Sequence, residues 1–142
     1  MANIDWTSYG IAQGESASED AIAALEQRLG YPLPPAYVDL ARFCNGASPE
    51  ISEFRVADFA TCISDFFEIS TTPDLFTVLW YLRPQAMNLP SQFVPIARDP
   101  IGGMILLNYE TIPPTVEFLD QATGKIHFVS SSFESFVTNW HE

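Results

Sequence analysis

The hydrophobic period of this chain changes at Phe93, and that change limits the folds open to it. Beyond that point, residues 93–97 and 104–109 are apolar runs joined by the turn-forming Asp99-Pro-Ile-Gly-Gly103. Two strands at the centre of a sheet are expected there, the second buried on both faces. Residues 115–119 and 125–129 flank Asp120-Gln-Ala-Thr-Gly124 and read as a second hairpin. A five-residue loop there sets Val116 and Phe118 opposite Phe128 and Ile126, with Glu117 opposite His127 on the other face. The Glu117 and His127 pair reads as a cross-strand contact on a solvated face, because no third group orients the imidazole for catalysis.

Upstream of Phe93 the spacing is largely helical. Ser16 or Ser18 caps a first helix through Ile22, Leu25 and Leu29 to Gly30, with Glu19 and Asp20 complementing its N-terminus. After Tyr31-Pro-Leu-Pro-Pro35, the residues Tyr37, Leu40, Ala41 and Cys44 form the stripe of a second helix, which Asn45-Gly46 ends. Residues 51–69 read as two short strands, near 54–56 and 63–69. Thr72-Pro-Asp74 opens a third helix with Leu75, Val78, Leu79 and Leu82 on one face, and Arg83-Pro84 closes it. Ser131-Ser-Phe-Glu134 is a capping box for a last helix whose stripe is Phe133, Phe136, Val137 and Trp140. Elements segregated in this way predict an α+β domain, 1–142, with a largely antiparallel sheet and helices packed against it. Residues 1–15 are expected as a loosely held lead-in. Trp6, Tyr9 and Tyr31 are open to two readings, core residues or partner anchors.

Charge and composition then narrow the function. Of 142 residues, 18 are acidic and 6 basic, a formal charge of −12. Hydrophobic residues make up 47% of the chain, enough for a core, so the acidity does not signal disorder. A field of this sign repels nucleic acid and anionic lipid and attracts basic surfaces. No apolar run reaches the length of a membrane span, and residues 1–6 lack the regions of a secretory signal, so a cytoplasmic protein is expected. Cys44 and Cys62 are too few and too far apart for a zinc or redox motif, and His127 and His141 lie far from both. No metal and no cofactor is expected.

The motifs of common chemistries are missing. Gly102-Gly103 joins two strands and lacks the following Lys-Ser or Lys-Thr of a phosphate loop. The Ser130-Ser131-Ser132 run has neither glycine of a hydrolase elbow, and His141-Glu142 has no room for a zinc-protease motif. Close carboxylate pairs such as Asp65 with Glu68, or Glu50 with Glu53, arise by chance among so many acids and read as a solvated face. Asp99, before Pro100 and Gly102, is expected to cap the backbone of its own turn. A non-enzyme is the reading that follows.

Residues 25–37, Leu-Glu-Gln-Arg-Leu-Gly-Tyr-Pro-Leu-Pro-Pro-Ala-Tyr, followed by Leu40 and Asn45-Gly46-Ala47, resemble the opening of the SUKH superfamily. Phe93-Val-Pro-Ile-Ala97, Asp99 and Gly102-Gly103 resemble its central hairpin, and Ser131-Ser-Phe-Glu-Ser-Phe-Val137 its closing helix. Two positions depart from the pattern: Gly103 stands where many members carry Asn or Asp, and Asn108 where many carry Asp. The superfamily includes a fungal cell-wall-assembly regulator and many bacterial immunity proteins encoded beside polymorphic or contact-dependent toxins. The resemblance therefore implies a protein that binds and neutralises a cognate toxin, often a nuclease, by blocking its active site, and the charge of −12 suits a toxin with a basic surface. An intracellular regulatory scaffold like the fungal member is the alternative. In the least regular segment, Glu50, Glu53, Asp58, Asp65 and Glu68 are the candidate contact residues, with Phe54 and Phe66 as aromatic anchors.

Overall fold

The computed structural model describes residues 4–142. Helix α1 (Glu19–Leu29) opens on Ser18, whose hydroxyl accepts the Ala21 N–H at 3.0 Å. It ends at Gly30 in the left-handed conformation, φ +79°. Helix α2 (Pro35–Phe43) begins on proline and buries Tyr37, Leu40 and Ala41. Across the exposed side of the pair, Arg42 grips both carboxylate oxygens of Glu19, at 2.6 and 2.9 Å. That hydrogen-bonded pairing holds the Glu19 carboxyl below its ordinary value and the Arg42 guanidinium above its own.

A hairpin of β1 (Phe54–Val56) and β2 (Phe59–Thr61) follows. The main sheet then runs β3 (Asp65–Phe66), β4 (Phe93–Arg98), β5 (Met104–Asn108), β6 (Thr115–Asp120) and β7 (Lys125–Ser130), antiparallel throughout and in chain order. Short helix α3 (Val78–Tyr81) lies between β3 and β4 in the chain, and α4 (Phe133–Thr138) closes it. The mixed architecture and the order of its elements are those the residue pattern predicts.

The core lies between one sheet face and the helices. Tyr37 of α2 meets Phe133 of α4 with ring centroids 5.4 Å apart. Phe54 of β1 packs edge-on to Phe136 at 4.9 Å and reaches Phe118 of β6 at 6.4 Å. Such aromatic edges add to the area they bury, and they tie the small hairpin to both layers.

Several local expectations are corrected. The β6–β7 loop has four residues, because Asp120 pairs with Lys125 and the Gly124 N–H closes on the Asp120 carbonyl at 2.7 Å. One residue fewer inverts every pairing. Glu117 therefore opposes Phe128, and His127 opposes Phe118, so the expected Glu117 and His127 pair does not form. The third helix starts only at Val78, capped by the Thr77 hydroxyl, because Phe76 takes a left-handed φ of +69°. Ser132, not Ser131, caps α4. The expected strand over residues 63–69 is ladder-paired only at β3, and β2 was not foreseen. Residues 4–15, expected as a loose lead-in, are packed: Trp6 and Ile11 are core residues, and the Asn45 N–H donates to the Glu15 carbonyl at 2.7 Å. Positions 1–3 of that lead-in lie outside the described residues.

Candidate protein-binding surface

Three turns gather at one end of the sheet, and side-chain hydrogen bonds join them. Asp99, 2% exposed, binds its own turn as expected: Oδ1 accepts the Gly103 N–H at 2.6 Å and the Ile101 N–H at 3.2 Å. Its other oxygen accepts the Thr61 hydroxyl at 2.8 Å, which fixes the β4–β5 turn to β2. Gln121 of the β6–β7 loop donates to the Gly102 carbonyl at 2.7 Å. Gly103 has a steric reason to be glycine, since a Cβ there would stand 2.2 Å from Phe118 Cζ. Phe118 is 2% exposed and packed against the rings of Phe54 and Phe59, so a Cβ at 103 would displace a core side chain.

The second departure is explained by its neighbour. Asn108 donates from Nδ2 to Glu117 Oε2 at 2.8 Å and accepts the Glu110 N–H on Oδ1 at 2.9 Å. An Asp at 108 would set two carboxylates against each other. Asn45 and Gly46 also have identifiable tasks. The Asn45 amide takes both the N–H and the carbonyl of Ile69, and Gly46 clears the Glu68 side chain, where a Cβ would approach Cγ to 2.9 Å.

The seven residues singled out for partner contact do not act alike. Phe54 and Phe66 are 4% and 3% exposed; both rings belong to the core, so neither is presented as an anchor. Asp65 is half-buried and paired with Arg98 at 2.6 Å, and the same guanidinium lies 4.4 Å over the Phe76 ring. Glu53 is half-exposed and faces His141 at 3.5 Å. Glu50, Asp58 and Glu68 are exposed. Of the aromatics left open, Trp6 is buried, Tyr9 lies edge-on to Trp140, and Tyr31 stacks on Tyr109 at 5.2 Å.

Among the described residues, two carboxylates, Glu19 and Asp65, meet an arginine or lysine at ion-pair distance. Arg83 sits over the Trp80 ring instead, at 3.8 Å. The acidic field is therefore largely uncompensated locally. The residue pattern does not reveal the exposure of Ile101, at 85%, or of Leu75 and Phe76, at 55% and 40%. For Ile101 the one signal is its place between Pro100 and Gly102 at a turn tip. Leu75 and Phe76 were hidden by helical spacing.

Residues 16–139 match the sequence pattern of the SMI1 / KNR4 family (SUKH-1). The chain belongs to this family. Every block on which the resemblance rests lies within that span, and the residues just described give the SUKH-1 blocks structural tasks: Asn45 clamps Ile69, Asp99 fixes its turn, and Ser132 caps the last helix. No curated protein matches the chain. Among the described residues, no group of three or more His, Cys, Asp or Glu side chains is placed to hold a metal, and no helix is long and apolar enough to cross a membrane.

Proposed function

We propose that this chain is an immunity protein that binds a cognate bacterial toxin domain stoichiometrically and blocks its active site in the cytoplasm. The observation that supports the reading most is a SUKH-1 fold carrying −12 charge with so few of its carboxylates ion-paired. A nuclease that receives phosphates has a basic groove, and opposite charge accelerates encounter by orders of magnitude at low salt. Glu50, Asp58 and Glu68, with half-exposed Glu53, supply that charge without any reacting group, whereas the Asp65 charge is offset by Arg98. The protein acts by occupancy and is not an enzyme.

Growth of bacteria expressing a candidate cognate toxin domain tests the proposal. Co-expression of the chain is expected to restore growth, and replacing Glu50, Asp58 and Glu68 together with Ala is expected to weaken toxin binding at least severalfold with an unchanged melting temperature. Continued killing despite abundant folded chain would contradict the reading.

A further inference from the structure

We propose that the cleft among the three turns receives one apolar side chain carried on a cationic segment of the partner protein. This rests on the toxin-binding reading and names the surface through which it acts. The cleft measures about 310 Å³ and is lined by Phe59, Ile101, Gly103, Phe118, Asp120 and Gln121. Its walls are mostly apolar, with Asp120 and Gln121 on one side. Its position is fixed before any partner arrives, because Asp99 fixes the Ile101 turn to β2 and Gln121 fixes the β6–β7 loop to Gly102. A preformed cleft spares the ordering entropy that a mobile one costs on binding.

Charge selects the occupant. Asp120 is the only charged residue in the lining, and Asp58 precedes Phe59 in the neighbouring turn. Lys125 pairs with Asp120 in the ladder but makes no ion pair with it at contact distance. An anionic segment meets repulsion here, and a cationic one meets the Asp120 carboxylate. A small molecule is the poorer fit, since the lining offers no buried polar side chain to orient one. Ile101 argues the same way: it lines the cleft yet keeps 85% of its surface exposed, so a protein surface extending past the cleft covers it, while a ligand seated within the cleft does not.

The test is amide chemical-shift mapping on the whole chain, with blocked Arg-Leu-Arg, Arg-Ser-Arg and Glu-Leu-Glu tripeptides as probes. Arg-Leu-Arg is expected to move the amides of Ile101, Gly102, Gly103 and Gln121, and the other two are not. Asp120→Asn keeps the turn's acceptor and is expected to weaken binding about two- to fivefold at low salt. Glu110→Gln removes the same charge beyond the far end of β5 and is expected to change nothing. Shifts centred elsewhere, no shifts, or equal binding of Arg-Ser-Arg would overturn the docking site. Rescue of growth by the chain together with a failed tripeptide experiment would overturn this surface alone, whereas continued killing would overturn the toxin-binding reading itself.

Discussion

Asn108 and Glu117 show how two neighbouring choices fix each other. Replacing Asn108 with Asp removes a buried donor and adds a second carboxylate, so the variant is expected to lose about 1–2 kcal/mol near neutral pH. The pair then shares a proton, and its folded pKa rises above the unfolded one. The loss should therefore shrink as pH falls below the carboxylate range, which denaturant midpoints at two pH values would register. Tyr37 makes the opposite case. Its hydroxyl is buried without a protein partner among the described residues, and burial, with a smaller contribution from Tyr109, pushes its phenol far above the ordinary value. The neutral phenol's contribution is fully present below about pH 10 and is lost as pH rises toward the folded value. Tyr37→Phe is expected to leave stability unchanged or raise it by up to about 1 kcal/mol, and to weaken the alkaline loss without abolishing it. Tyr109, likewise raised by burial and by Glu26, retains a share. Urea unfolding near pH 8 and above about pH 10.5 separates these contributions.

At the scale of elements, most helices and strands were legible because caps and periodicity are local. Ser18 and Gly30 bound α1 as their chemistry dictates, and β5 is buried along its length as a continuous apolar run predicts. What the sequence concealed depends on counting and on distant contacts. Gly124 satisfies a four-residue loop as readily as a five-residue one, and only the observed closure puts Phe128 outward and Phe118 inward. The register gives a direct test. Phe128→Ser, at a position 62% exposed, should change stability by less than about 0.5 kcal/mol. Phe118→Ala, at a position 2% exposed, should cost about 3–5 kcal/mol. The expected five-residue loop requires both rings to be buried and both losses to be large. Phe76 was beyond reach for another reason. Its spacing fits a helix, but the Glu68 N–H bonds the Phe76 carbonyl and the Val78 N–H bonds the Glu68 carbonyl, a closure between segments that no local pattern reveals.

Across the whole molecule, fold and charge carry different parts of the proposed function. The helices, sheet and hairpin hold three turns at one end, while the excess of carboxylates sets the field a partner meets first. The candidate site was legible in the sequence only as charge: the acids could be counted, but their pairing with Arg98 or Arg42, and the burial of Phe54 and Phe66, arise from tertiary neighbours. A partner drawn in by this field should associate more slowly as salt rises, with a smaller change in dissociation, as stopped-flow mixing at low and physiological ionic strength would show. The most direct measurement is titration of the purified chain into the toxin domain that the proposed function calls for while that domain's activity is followed. Loss of activity complete at one chain per toxin, and tighter at low salt, is the expected result. Full activity in the presence of excess folded chain would contradict the account.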